Sequence, residues 1–131
     1  MTHEGLRLKP YLDTVGKTTI GVGRNLTDVG ISSEEAMLLL QNDILRTSAS
    51  VMQALPWVPG LDEVRRRVLF DMAFNMGIGG LLGFKKMLAA VQAGQWLGAS
   101  EEMIASKWAG QVGQRAVTLA AMMRTGLDPF A

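Results

Sequence analysis

At 131 residues with 48% hydrophobic side chains, the chain holds enough apolar material for one folded domain with a real core. Its 13 basic and 12 acidic residues divide as 5 and 6 through residue 60 and 8 and 6 after it, too evenly for the clustered basic face of a nucleic-acid binder. No cysteine and a single histidine exclude disulfide, thiolate and polyhistidine sites, so neither a metal nor another cofactor is expected.

In the stretch from Glu4 to Arg24, Pro10 and Gly16 stop any helix from running through, while Tyr11, Thr18, Thr19, Ile20 and Val22 favour strands. The segment is expected to leave a short helical turn and enter a hairpin, with Glu4 at its base and Asp13 near its turn. Asp13 follows Glu4 by nine positions and Thr19 stands six further on. Two carboxyls on different local elements can oppose each other across a groove, as cleavage of a glycosidic bond requires. One, protonated, gives its proton to the leaving oxygen; the other, ionised, activates water or stabilises the oxocarbenium-like centre. The spacing alone fits any hairpin with an Asp by its turn.

Gly21-Val22-Gly23 lacks the third glycine and the strand-to-helix setting of a dinucleotide loop, and reads instead as a close approach of backbone in a cleft. Asn25-Leu26-Thr27 has the form of a glycosylation sequon, expected to be unused because no secretory leader is evident. Apolar runs fall far short of the roughly 20 residues of a membrane span, so a soluble protein made in a cytoplasm is expected.

Ser32 with Glu35 forms a capping box, Ile31 can staple onto Ala36, and no proline or glycine follows until Pro56, which predicts one helix over about 33–55. Ala36, Leu39, Leu40, Ile44, Ala49, Met52 and Leu55 keep helical spacing and are expected in the core. More than 20 residues at 1.5 Å each span about 30 Å, enough to join two lobes behind a cleft.

After the turn Pro56-Trp57-Val58-Pro59-Gly60, Asp62 is a good N-cap for a buried helix carrying Leu61, Val64, Val68, Leu69, Met72, Ala73 and Met76, ended by Gly77. Phe70 and Phe74 add apolar surface on its other side. Asp62 and Glu63 stand four residues ahead of Arg66 and Arg67, so Arg65-Arg66-Arg67 reads as a solvated, paired face rather than a nucleic-acid patch, with Arg67 also the expected partner of Asp71. Short helices follow over about 81–92, 95–105 and 113–124, with Trp96 and Trp108 packed between them. The 9 methionines make an adaptable core.

Glu4-Gly5-Leu6-Arg7-Leu8-Lys9, Tyr11, Asp13 and Thr19-Ile20-Gly21-Val22-Gly23 closely resemble the catalytic signature of the phage-type lysozymes, the endolysins that cut bacterial peptidoglycan. Arg65-Arg66, Met72 to Gly77, Gly83-Phe84, Lys107-Trp108, Gln114-Arg115-Ala116 and Arg124-Thr125-Gly126 extend the resemblance over nearly the whole chain. It implies a mainly helical α+β, lysozyme-like bilobed fold in a single catalytic domain, 1–131. The expected parts are a small β-hairpin front lobe at about 10–31, a connecting helix at about 33–55, and a helical rear lobe at about 61–131 joined by the N-terminal turn.

By the same resemblance the activity is hydrolysis of the β-1,4 bond between N-acetylmuramic acid and N-acetylglucosamine with inversion. Glu4 is then the general acid, Asp13 the residue that orients or activates water, and Thr19 its holder. Inversion implies carboxyls about 6.5 to 9.5 Å apart. Asn25, Phe74, Asn75, Gln111 and Arg115 are implied to bind substrate, Arg115 beside Glu4, and Asn75 can instead cap its helix. Both Trp96 and Trp108 fall at core positions of the family.

Three departures stand out. Only Met1-Thr2-His3 precede Glu4, where relatives usually have further helical turns. Arg24 replaces a histidine that pairs with an aspartate, so an Arg24–Asp43 ion pair is expected. Met87 and Glu102 occupy cleft positions where polar, uncharged side chains are more usual. The implied partner is the glycan strand of peptidoglycan, reached by a monomer made in the host cytoplasm and released to the wall by a separate membrane-permeabilising protein. A weakly active or inactive relative that binds the wall or a partner is the alternative.

Overall fold

The computed structural model describes residues 5–130. In chain order the elements are β1 (Arg7–Leu12), β2 (Thr18–Gly21), β3 (Arg24–Asn25), α1 (Ser33–Ala54), α2 (Glu63–Leu82), α3 (Lys85–Gln92), α4 (Trp96–Ile104), α5 (Lys107–Val112) and α6 (Gln114–Thr125). A small N-terminal sheet, a long helix and several further helices make the α+β class that the sequence implies. The chain divides into two compact units, Met1–Gln41 and Asn42–Ala131, with the boundary inside α1.

In the first unit the strands lie antiparallel in the order β1-β2-β3, with Tyr11 opposite Thr19, Leu12 opposite Thr18 and Ile20 opposite Arg24. β1 already begins at Arg7, where a helical turn was expected. The register slips between Arg7 and Tyr11, so Pro10, which has no N–H to give, sits in an irregular stretch of an edge strand. Gly21 and Gly23 turn the chain from β2 to β3 with φ of 71° and 82°. Nothing lies within 4 Å of where a Cβ would stand on either, so the requirement is the positive φ and not the close approach expected from the sequence.

Both arms of the capping box form: the Glu35 N–H donates to Ser32 Oγ at 3.1 Å, and the Ser32 N–H donates to Glu35 Oε1 at 2.9 Å. Arg24 Nη1 donates to the same Oε1 at 2.7 Å and to the Gly30 carbonyl at 3.1 Å. The Arg24 guanidinium and the Ser32 N–H together hold the Glu35 carboxyl down at about 2.

Along α1 only Val51 is buried. Leu39, Leu40 and Ile44 are 51%, 39% and 48% exposed, contrary to their expected place in the core. Four consecutive apolar residues, Met37 to Leu40, point to nearly every side of a helix, so one neighbouring element cannot cover them.

In the second unit α2 supplies the centre of the core with Val68, Leu69, Met72 and Ala73, against Leu81, Met87, Val91, Met103 and Met123. Asp62 caps α2 by accepting from the Arg65 N–H at 3.1 Å. The helical backbone breaks at Gly77, with φ 80° and ψ 162°, then resumes to Leu82. Gly113, at φ 61°, separates α5 from α6, and the Ser106 hydroxyl accepts from the Ala109 N–H to start α5. The helix expected over about 113–124 is α6, and α5 was not expected.

The charged face of α2 is paired differently from the i+4 reading. Asp62 holds Arg65 at 3.2 Å, and Arg67 donates to Asp128 at 2.9 Å. Arg65 also donates to the Met123 and Arg124 carbonyls at 2.7 and 3.0 Å, and lies 3.9 Å over the Trp96 ring. Trp96 is therefore half-buried under a guanidinium, whereas Trp108 is buried edge-to-face on Phe84. Among the described residues no single helix is long and apolar enough to cross a membrane.

Because the folded Glu35 carboxyl lies below its ordinary 4.5, its contribution to stability is complete above that pH and is lost as pH falls toward about 2. Melting temperatures measured across that interval are expected to fall more for the wild type than for Glu35→Gln. At neutral pH, Ser32→Ala is expected to cost about 1 kcal/mol in denaturant unfolding through loss of the cap.

Candidate active site

Asp13 opens the turn between β1 and β2. Its N–H donates to the Lys17 carbonyl at 2.9 Å and its own carbonyl accepts from the Gly16 N–H at 3.1 Å. The side chain closes the same turn: Oδ1 accepts from the Val15 and Lys17 N–H groups at 3.0 and 2.8 Å. An aspartate at the first position of a turn forms such bonds readily, and Gly16 supplies the φ of 84° that lets the chain re-enter β2. The half-buried carboxylate thus has one oxygen fixed to backbone and its second oxygen outside those bonds.

Thr19 is buried, 4% exposed, and its hydroxyl donates to the Lys17 carbonyl at 3.0 Å. The peptide groups of Lys17 therefore anchor both Asp13 and Thr19. With its proton given to that carbonyl, Thr19 Oγ1 can only accept from any further partner. Glu4 lies outside the described residues, and with it the carboxyl separation.

Arg24 and Asp43 each have another partner: Arg24 holds Glu35, and Asp43 accepts from Arg46 at 2.5 Å. In place of the expected Arg24–Asp43 pair, Glu35, one turn into α1 and fixed by the capping box, lies within reach of the long Arg24 side chain. Asn25 is likewise engaged locally, donating through Nδ2 to Asp28 at 2.9 Å and accepting from the Asp28 N–H at 3.0 Å. Its amide shapes the turn after β3.

In the helical unit, Phe74 and Asn75 stand exposed on α2 just before the break at Gly77, Phe74 at 43%. Gln111 is exposed on α5. Arg115, near the start of α6, donates through Nε to Asp71 Oδ1 at 3.1 Å and through Nη2 to the same oxygen. Asp71 thus finds its partner 44 residues away and not at Arg67. Both ion pairs, Arg115–Asp71 and Arg67–Asp128, line one pocket of about 520 Å³, which Phe130 also borders. The Phe130 N–H and then Arg67 hold the Asp128 carboxyl below its ordinary value.

Met87 is buried in the core, while Glu102 is exposed on α4. Both line a second pocket, of about 500 Å³, with Lys85, Lys86 and Lys107. Lys85 and Lys86 are adjacent at the start of α3, and only the fold brings Lys107, at the start of α5, to the same pocket. Among the described residues no three His, Cys, Asp or Glu side chains are grouped to hold a metal.

The family model described as phage lysozyme matches residues 1–124. The pre-baseplate central spike protein Gp5 of Enterobacteria phage T4 is 32% identical over 151 aligned residues, which cover 94% of this chain and 26% of that protein. Probable T4-type lysozyme 1 of Dictyostelium discoideum is 26% identical over 153, covering 94% of this chain and 89% of its own. The endolysin of Acyrthosiphon pisum secondary endosymbiont phage 1 is 32% identical over 110, covering 81% and 71%. The chain thus spans about a quarter of the spike protein and most of the other two.

The turn geometry separates two substitutions at Asp13. An asparagine keeps an oxygen to accept from Val15 and Lys17, so Asp13→Asn is expected to unfold within about 0.5 kcal/mol of the wild type. Asp13→Ala strands both N–H groups and is expected to lose about 1 to 2 kcal/mol. Urea denaturation of the two variants side by side measures the difference.

Proposed function

The chain belongs to the phage lysozyme family, and on that premise we propose that it is a muramidase, an inverting hydrolase of the β-1,4 bond between N-acetylmuramic acid and N-acetylglucosamine in peptidoglycan. The observation that best supports this reading is the hairpin, where Asp13 and Thr19 are anchored on the peptide groups of one residue, Lys17. A fixed pair of acceptors is what a water-activating site needs.

In the proposed reaction a water donates one hydrogen to Thr19 Oγ1 and the other to the second carboxylate oxygen of Asp13. Its lone pair is then left for the anomeric carbon. Asp13 takes the proton as the new C–O bond forms, and Glu4 gives its own proton to the oxygen of the departing sugar as the old bond breaks. Attack from the face opposite the leaving group inverts the anomeric carbon.

Glu4 must remain protonated until the bond breaks, and a neighbouring arginine would pull that proton away. Arg115, which the family resemblance puts beside Glu4, already shares its charge with Asp71. The T4-type lysozyme and endolysin names of two relatives support the same reading. The same reading carries with it synthesis in the host cytoplasm and action at the wall after a separate protein opens the membrane. Phe74, Asn75 and Gln111 are proposed to line the sugar path. Asn25 is proposed to act there through the turn that it shapes.

Purified peptidoglycan incubated with the wild type, Glu4→Gln and Asp13→Asn tests the proposal. The wild type is expected to clear the suspension and release free reducing ends with inverted, α-anomeric stereochemistry by proton NMR. Each variant is expected to be slower by about a hundredfold or more. Products lighter by one water would identify a transglycosylase that works without Asp13. A folded wild type that binds the wall and cuts nothing would identify a binding-only relative.

A further inference from the structure

One peptide group, that between Lys17 and Thr18, lies behind the proposed water site. Its carbonyl accepts from the Asp13 N–H at 2.9 Å and from the Thr19 hydroxyl at 3.0 Å. Its N–H, at the opposite end of the same planar unit, donates to Thr27 Oγ1 at 2.9 Å. The plane is thus held at both ends.

Thr27 takes a place that backbone would fill in a longer sheet. Leu26 gives its N–H to the Thr18 carbonyl at 2.7 Å, one half of the reciprocal pair by which antiparallel strands join. The other half, from the Thr18 N–H, goes to the Thr27 side chain, where β3 has already ended at Asn25. Behind it, Asn25 and Asp28 close the turn with bonds of 2.9 and 3.0 Å, and Asp28 meets Lys17 Nζ at 3.4 Å. Both polar side chains of Asn25-Leu26-Thr27, the stretch with the form of a sequon, are therefore engaged inside the first unit.

Resting on the muramidase reading, we infer that Thr27 is a positioning residue for the attacking water, acting through the Lys17–Thr18 peptide on the Thr19 hydroxyl. A peptide group whose N–H donates is a stronger acceptor at its carbonyl. That carbonyl takes the Thr19 proton, which leaves Thr19 Oγ1 only to accept from the water. Without the Thr27 hydroxyl one end of the peptide is released to solvent, and its carbonyl fixes the Thr19 proton less firmly. Thr27 stands three hydrogen bonds from the water and acts on its orientation, not on the binding of the glycan.

The test follows reducing ends released from soluble, uncross-linked peptidoglycan strands by the whole chain and its variants, each shown to be folded by circular dichroism. Thr27→Val and Thr27→Ala remove the hydroxyl with and without its bulk. Each is expected to lower kcat about fivefold to twentyfold with KM within about twofold. Thr27→Ser keeps the acceptor and is expected to stay within about twofold of the wild type in both constants. Full kcat in Thr27→Val or Thr27→Ala, a serine variant as slow as they are, or a rise in KM at unchanged kcat overturns the inference. A wild type that cuts nothing rejects the muramidase reading and this role with it, whereas a working wild type with equally fast Thr27 variants rejects this role alone.

Discussion

One carboxylate oxygen, Glu35 Oε1, takes hydrogen bonds from the Ser32 N–H and from Arg24 Nη1, and the first unit is tied together through it. The capping-box arm fixes the start of α1, while the arginine arm fixes β3 and the Gly30 carbonyl that follows. Helix and sheet are thereby joined by a shared acceptor in a unit whose apolar side chains are mostly exposed. Where hydrophobic burial is this sparse, directional polar contacts must set the geometry. β3 in turn lies against β2, which carries Thr19, so the same contact bears on the candidate chemistry.

The second unit answers the same problem with an arginine and a large core. Arg65 reaches from α2 to the last carbonyls of α6, groups that a helix end leaves without partners. It also covers the Trp96 face. Gly126 ends α6 with a left-handed residue, and a Cβ there would stand 3.0 Å from the Arg65 guanidinium. The glycine is thus fixed twice, by its φ and by the arginine that uses the space beside it.

Local signals in the sequence proved faithful. Ser32 and Glu35, Asp62, Gly77 and the Asp13 hairpin all do what their chemistry prescribes, because caps and turns are decided within four or five residues. Partners across the fold were not legible. Asp71 and Arg67 could be matched only by the i+4 rule, whereas their partners Arg115 and Asp128 lie 44 and 61 residues away in sequence. The α1 leucines misled for a related reason: spacing says which residues share a helix face, and not whether anything covers it. Asp13 and Thr19 were recognisable by resemblance, but their common anchor on Lys17 belongs to the backbone of the turn, which no side-chain pattern records.

The even charge balance conceals a division of labour. Of the six ion pairs among the described residues, five use arginine, whose planar fork can hold a carboxylate and a backbone carbonyl together. Lysine offers a mobile point charge on a flexible stem, and among the described residues Lys85, Lys86 and Lys107, at the rim of one pocket, form no ion pair. Arginines such as Arg24, Arg65 and Arg115 are committed to holding the chain together. Beside the aromatic pair Phe84 and Trp108, the charges outside those six pairs are Lys85, Lys86, Lys107 and Glu102.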